Sequence, residues 1–146
     1  FVGSMIEEIA QAEGITAGGI VVDINNDLLV MFDRGHLSQI AWNLVRNAWQ
    51  HCQKRPSSIS IAARAGYMGD AVICELGDDG PGVPLEYRAQ IFEPFFTTRS
   101  GGTGLGLYIA RELADANGCA LELLPKSPGA VFRLTFKRAL TPAAID

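Results

Sequence analysis

Two glycine-rich runs, each attached to a different kind of element, restrict what this chain can fold into more than any other feature. The first, Asp78-Asp79-Gly80-Pro81-Gly82, closes an apolar run that ends in Leu76-Gly77. The second, Gly102-Thr103-Gly104-Leu105-Gly106-Leu107, passes straight into a helical pattern. Glycine has no Cβ, so backbone amides in such runs can close around phosphate oxygens, and a helix start adds a favourable dipole. An aspartate at the end of a buried run is a good acceptor for an exocyclic amine such as that of adenine. The pair therefore points to a purine nucleotide, with the base at the first run and the phosphates at the second. A dinucleotide fold would put its glycines directly after a first strand, with an acidic residue about 20 positions on. Here the second run follows Glu93-Pro94-Phe95-Phe96-Thr97-Thr98-Arg99-Ser100-Gly101, which is no strand, and the Gly-Lys-Ser/Thr ending of a P-loop is absent.

A third element lies upstream. From Asp33 to Lys54 the apolar residues Leu37, Ile40, Ala41, Leu44, Val45, Ala48 and Cys52 fall on one helical stripe. Asn43, Asn47, Gln50 and His51 project from one flank of it. Asparagine disfavours helix interiors because its side chain competes for backbone hydrogen bonds. Two of them one turn apart are either a solvated flank or ligands, since amide oxygens suit Mg²⁺ held alongside phosphates and water.

These runs resemble the conserved boxes of a known family. Asn43-Leu44-Val45-Arg46-Asn47-Ala48 is similar to the N box of sensor histidine kinases, and Asp78-Asp79-Gly80-Pro81-Gly82 to their G1 box. Ile91-Phe92-Glu93-Pro94-Phe95-Phe96 resembles the F box and Gly102-Thr103-Gly104-Leu105-Gly106-Leu107 the G2 box. All four stand in the family's order and spacing, between about Asp33 and Phe136. The chain thus resembles the catalytic and ATP-binding domain of these kinases, in the superfamily shared with gyrase, Hsp90 and MutL. The residues Asn-Leu-Val-Arg-Asn-Ala followed by Gln50, with Phe-Phe-Thr-Thr-Arg downstream, most resemble the nitrogen-regulatory and pilus-regulatory sensor kinases.

Composition narrows the setting. A chain of 146 residues that is 48% hydrophobic is about one domain with one substantial core, so residues 1–146 are read as a single ATP-binding domain. Phe1 to Met5 contain Gly-Ser-Met, a common cloning junction, and are set aside from the fold. No apolar run is long enough to cross a bilayer and no secretory signal opens the chain, so a cytoplasmic domain without membrane contact is expected. Cys52, Cys74 and Cys119 lack metal-ligand spacing and read as buried thiols in a reducing compartment. A net charge of −4 without a basic cluster argues against nucleic acid.

Along the chain, residues 19–24 and 28–32 read as strands around a tight turn at Asn25-Asn26-Asp27, followed by a helix from Arg34 to about Gln53. Residues 58–63 and 71–76 form a hairpin around Gly66-Tyr67-Met68-Gly69. Residues 84–91 make a short helix opened by proline, and 105–116 a helix closed by Asn117-Gly118. Residues 120–124 and 130–137 form a last hairpin around Ser127-Pro128-Gly129. The expected fold is an α/β two-layer sandwich: a mixed, largely antiparallel sheet covered on one face by about three helices. The resemblance implies the same architecture, the Bergerat ATP-binding fold, with a mobile lid over Phe92 to Gly102.

The resemblance also implies roles. Asp78 would accept the adenine amino group, with Gly80 and Gly82 letting the backbone approach the base. Asn47 would ligate Mg²⁺ and Asn43 would contact a phosphate or a metal-bound water. His51 would lie near the adenine. Gly102, Thr103, Gly104, Leu105 and Gly106 would offer amides to the phosphates, with Thr97 and Arg99 from the lid. Many relatives carry Lys at Gln50, so Arg99, or failing it Arg46, would supply the missing cation. Phe92, Phe95 and Phe96 read as lid-packing hydrophobes. Trp42 and Trp49 read as core, or as a docking face if exposed.

The implied activity is transfer of the ATP γ-phosphoryl group to a histidine. His36 and His51 both lack the context of a phosphoacceptor. The acceptor would then sit on a separate dimerisation domain, for onward transfer to a response regulator, and this fragment would be monomeric. A stand-alone anti-sigma-type serine kinase, a gyrase- or Hsp90-like clamp and a non-catalytic nucleotide-sensing docking module are the rivals. The clamp needs a water-activating carboxylate where this chain has Asn43.

Overall fold

The computed structural model describes residues 1–25, 27–99, 102–125 and 129–139. Three α-helices and a five-stranded sheet make two layers. Helix α1 spans Val2–Ala12, α2 Arg34–His51 and α3 Gly106–Ala116. The strands are β1 Ile20–Ile24, β2 Ile59–Ala65, β3 Ala71–Asp78, β4 Ala120–Leu123 and β5 Val131–Lys137. They stand in the order β1-β2-β3-β5-β4, with β1 parallel to β2 and the other pairs antiparallel. This is the mixed, largely antiparallel sheet and two-layer sandwich expected from the sequence.

Alternation decides which face the helices cover. Ile59, Ile61, Val72, Leu76, Phe132, Leu134 and Phe136 are buried. Their register partners, such as Ile61 with Leu76 and Val72 with Phe136, put them on one side of the pleat. The opposite side carries Glu75, bonded by Arg133 at 2.7 Å and approached by Arg64 at 3.7 Å. Helix α2 lays Ile40, Leu44, Val45 and Ala48 on the apolar side. Its start is capped by Asp33, whose side chain accepts the His36 amide at 2.9 Å. The Asn117 side chain joins α3 to the start of α2, accepting the Asp33 amide at 3.1 Å and donating to the Leu113 carbonyl at 2.8 Å. An apolar cavity of about 110 Å³ remains in the core, with Met5, Ala41, Leu44, Val72 and Phe136 among its walls, and none of the candidate site residues lines it.

Several expectations change. The first five residues, set aside above, belong to α1, where Met5 is buried beside Ile6 and Ile9. Residues 28–32 form no hairpin with β1. Val30 instead makes an isolated bridge to Arg138, and the Ala139 amide donates to the Leu29 carbonyl at 2.8 Å. The alternation there is real, with Leu28, Val30 and Phe32 packed on the core and Met31 80% exposed. Period two reports one buried face, not a ladder partner, and β1 pairs with β2 instead. The short helix at 84–91 shrinks to a single 3₁₀ turn, Leu85–Tyr87, because only Tyr87 and Ile91 find apolar neighbours while Leu85 stays exposed. Of the cysteines only Cys119 is buried; Cys52 and Cys74 are half-buried, and all three are free. Burial pushes the Cys74 thiol up to about 11 and the Cys119 thiol to about 12. Asn26, Ser100, Gly101, Ser127 and Pro128, named in turns above, lie outside the described residues. Among the described residues no helix is long and apolar enough to cross a membrane.

Candidate functional site

Strand β3 ends at Asp78, where the sheet runs out beneath the C-terminus of α2. Asp78 Oδ1 accepts the Gly80 amide at 2.8 Å. The carboxylate also feels the Ala130 backbone, and with about four lone-pair sites it can still accept a further donor. Burial raises the carboxyl above its ordinary value, partly offset by the Gly80 and Ala130 backbones and the nearby His51 charge. His51 closes α2, and its Nδ1 lies 2.8 Å from the Asn47 carbonyl oxygen, which assigns the proton to Nδ1.

The two aspartates of the pair do different work. Asp79 Oδ1 accepts the Gln53 amide at 2.8 Å, and Oδ2 accepts Arg55 Nε and the Ser58 hydroxyl, each at 2.9 Å. The Asp79 amide donates to the Ser58 carbonyl at 3.0 Å. The Gln53 amide, with the Ser58 and Arg55 side chains, holds the Asp79 carboxyl below the ordinary value. This competition for Gln53 also ends α2 at His51, two residues before the expected end, with Cys52 as an extended cap.

Glycines here are demanded by contact. A Cβ on Gly80 would meet the His51 carbonyl, and one on Gly82, at φ +79°, would stand 2.8 Å from the Gly129 oxygen. Gly129 in turn, at φ +81°, packs against the Asp78 carbonyl. From the sequence, Gly129 reads only as part of a hairpin turn. Nothing in one chain's residues distinguishes a turn glycine from one that another backbone must pass.

The second run leads into α3. Its N-cap position is Leu105, which has no side-chain oxygen to cap the helix. The first-turn amides, which a helix cannot satisfy internally, are left for an outside acceptor. Asn43 faces this helix start: a Cβ on Gly106 would lie 3.8 Å from Asn43 Oδ1, and Asn43 Nδ2 is buried without a partner. Asn47 stands half-buried one turn further along the same flank. Among the described residues no group of three or more His, Cys, Asp or Glu could hold a metal. A divalent cation here would therefore depend on amide oxygens together with ligand oxygens, a donor set that suits Mg²⁺.

Between the runs, Gly104 at φ +71° packs against the Phe95 backbone, and the Phe95 amide donates to the Gly104 carbonyl at 2.9 Å. Phe95 itself takes φ +66°, a conformation that non-glycine residues rarely adopt. Gly102 approaches Thr97, whose hydroxyl accepts the Arg99 amide at 3.0 Å. The Thr103 hydroxyl accepts the Leu105 amide at 3.3 Å. Phe92 meets Phe132 edge-on at 6.0 Å under Arg111, and Phe96 meets Tyr87 at 5.5 Å. Phe95 does not pack: it is 74% exposed.

The structure gathers Asp78, Gly80 and His51 at one end, and Asn43 and Gly106 at the other. It separates Arg46 from both. Arg46 lies on the flank facing α1, 3.8 Å from Glu13. Arg99 remains exposed in the lid segment. Trp42 and Trp49 are half-buried, not a bare docking face. Trp42 Nε1 donates to Glu13 at 2.7 Å, while Trp49 packs beside Gly19 and under Lys54.

Residues 32–140 match the family described as histidine kinase-, DNA gyrase B-, and HSP90-like ATPase. The chain is similar to the sensor protein kinase PilS of Pseudomonas aeruginosa, 36% identical over 113 residues. It is equally similar to the nitrogen regulation protein NtrY of Azorhizobium caulinodans, 36% identical over 112 residues. These matches cover 75% and 73% of this chain but only 21% and 14% of those proteins. Both agree with the resemblance to pilus- and nitrogen-regulatory kinases. Among solved structures, the catalytic domain of histidine kinase ThkA superposes with a TM-score of 0.76 at 31% identity, covering 94% of each chain. Full-length ShkA in complex with AMPPNP gives 0.75 at 29% identity, covering 97% of this chain and 31% of that one.

Proposed function

The chain belongs to the family of histidine kinase-, DNA gyrase B- and HSP90-like ATPases, and from that membership we propose that it is the ATP-binding catalytic domain of a two-component sensor histidine kinase. It would move the ATP γ-phosphoryl group to a histidine on a dimerisation domain, from which a response regulator takes it. The observation that carries this reading is the pairing of two unsatisfied features: the uncapped start of α3 and the buried, unpartnered Asn43 Nδ2 beside it. Buried polar groups are normally bonded, and here phosphate oxygens would complete both.

The chain's own residues then divide the work. Asp78 accepts the exocyclic amine of adenine, while Gly80 and Gly82 let the base-side wall close against the His51 and Gly129 carbonyls. The amides of Gly102 to Gly106 cradle the phosphates, and Asn43 donates to a phosphate oxygen. Asn47, with Asn43 beside it, would hold Mg²⁺, which when bound offsets phosphate charge. Thr97 and Arg99 lie on the lid, where Arg99 adds a cation over the outer phosphate. In the transfer, the bond from the γ-phosphorus to the bridging oxygen breaks and a phosphorus–nitrogen bond forms to the acceptor imidazole. ADP leaves, and the imidazole proton passes to a base outside this chain. Positioning and charge neutralisation are the whole of this domain's contribution.

The test is calorimetric titration with ADP and AMPPNP, with and without Mg²⁺. Labelled ATP is then supplied with a relative's phosphoacceptor hairpin. Magnesium-dependent binding that Asn47→Ala removes, followed by label on the hairpin histidine, is the expected result. Absence of binding by the unmodified chain overturns the reading.

A further inference from the structure

Outside the groups that face the nucleotide, a dense polar cluster surrounds Asp79. Four bonds converge on this residue: from the Gln53 amide, Arg55 Nε and the Ser58 hydroxyl to its carboxylate, and from its own amide to the Ser58 carbonyl. Ser58 is buried, 2% exposed, and its hydroxyl oxygen also accepts the Arg55 amide at 2.9 Å. The segment so gathered, residues 52–58, is strained. Lys54 at φ +54° and Ser57 at φ +62° both lie in the left-handed region without being glycine. Such conformations persist only where the surroundings impose them, and they gather at functional sites.

What the clasp holds is the end of α2. Residues 52–58 follow His51 directly, and the His51 carbonyl is packed against Gly80, one residue from Asp79. Both ends of this contact are therefore tied to a single carboxylate. We infer that Asp79 is a positioning residue for the adenine end of the site: by clasping the strained 52–58 segment it seats the α2 C-terminus against Gly80 and sets the gap between His51 and Asp78. This rests on the proposed nucleotide reading and deepens it. Asp79 touches no nucleotide atom, since both its oxygens are engaged inside the protein.

A clasp at the base end has a signature that a general loss of stability lacks. The affinity lost must be the same for every adenine nucleotide, whatever its phosphate count, and the preference for adenine over guanine must fall with it. The experiment is calorimetric titration of the unmodified chain, Asp79→Ala and Arg55→Ala with ADP, magnesium-AMPPNP and the matching guanine nucleotides. Melting curves accompany each variant. Asp79→Ala is expected to weaken ADP and AMPPNP equally, by about tenfold, and to narrow the adenine-over-guanine ratio. Arg55→Ala removes one donor from an exposed side chain and so spares folding. It is expected to weaken both by about threefold. Unchanged affinity and base preference in a folded Asp79→Ala protein, or in Arg55→Ala where Asp79→Ala does not fold, overturns the inference and leaves the nucleotide reading standing. A loss that grows with phosphate count also overturns it. An unmodified chain that binds no nucleotide takes both down together.

Discussion

At the end of β3 the chain has little left to bond. Asp78 Oδ1 holds the Gly80 amide, Asp79 has four bonds of its own, the His51 ring lies against the Asn47 carbonyl, and Gly82 and Gly129 pass backbone to backbone. At the start of α3 the position is reversed: no side chain caps the helix, Asn43 Nδ2 is buried and unpartnered, and Arg99 stands exposed. The first region is a finished wall and the second an incomplete socket. A wall fixed in advance can select a base by shape and one hydrogen bond. On the proposed reading, a socket completed by its ligand makes order at the start of α3 depend on bound phosphate.

The widest test of this contrast uses one glycine from each region. Gly80 has no room for a Cβ because of the His51 carbonyl, and Gly104 has none because of the Phe95 backbone. If the wall is rigid, Gly80→Ala must be accommodated by the core, and its Tm falls by about 5–10 °C. If the lid yields, Gly104→Ala melts within about 2 °C of the parent. It nonetheless loses nucleotide affinity by about a hundredfold, because the amides of the second run no longer converge. Equal melting losses in the two variants, read by calorimetry, would break the contrast.

Asp78 sharpens it next. Its folded-state carboxyl lies above the ordinary 3.8, mainly through burial, so the native protein binds this proton more tightly than the unfolded chain does. Its contribution to stability therefore falls as pH rises through that window. Asp78→Asn keeps an oxygen for the Gly80 amide and removes the buried charge. It should raise the Tm at neutral pH while weakening ADP by about fiftyfold in titration. Asp79 is shifted the opposite way, so its stabilising bonds persist above 3.8 and fail only as pH falls below it. On acidification nucleotide binding is lost first, as the raised Asp78 carboxyl takes up its proton, while circular dichroism still reports a folded domain. Unfolding and release at the same pH would show that the two aspartates do not differ.

Both regions were legible in the sequence, but unequally. The second run was visible because glycines leading into a helix announce an anion site through backbone chemistry alone. Asn43 and Asn47 were visible because asparagine is out of place inside a helix. Asp78 could be told from Asp79 only through family resemblance, since two adjacent acids in a turn look alike until the structure shows which one Gln53, Arg55 and Ser58 occupy. Helix α1 is not legible: setting aside Phe1 to Met5 removes its first turn, and the remaining Ile6 and Ile9 are too few to announce a buried stripe by themselves. Residues 28–32 were misread because alternation encodes burial while strand pairing is decided by distant chain, here β2 and Arg138.

Asn43 probes the socket from inside. Removing a buried amide that has no partner costs the fold little, so Asn43→Ala should melt within about 1 °C of the parent. Its nucleotide affinity should fall by about tenfold for AMPPNP with Mg²⁺, and by less for ADP, since the missing group faces the phosphates. A large drop in Tm would mean that Asn43 holds the helices together and that its free amide is incidental.

Arg99 tests the same socket from its solvent side and gives the smallest effect. An exposed cation acts through water and salt, so it contributes little and is easily screened. Arg99→Ala should weaken AMPPNP by about threefold in dilute buffer, and the difference should vanish near 0.5 M salt. The Asn43→Ala defect should persist there, because a buried hydrogen bond is not screened. Titrating both variants across salt separates the two sources of phosphate affinity. If Arg99→Ala remains defective at high salt, the lid brings its guanidinium into direct, desolvated contact with the ligand. The socket would then be closed by the chain itself, and the difference between the two ends would narrow to the state of the lid alone.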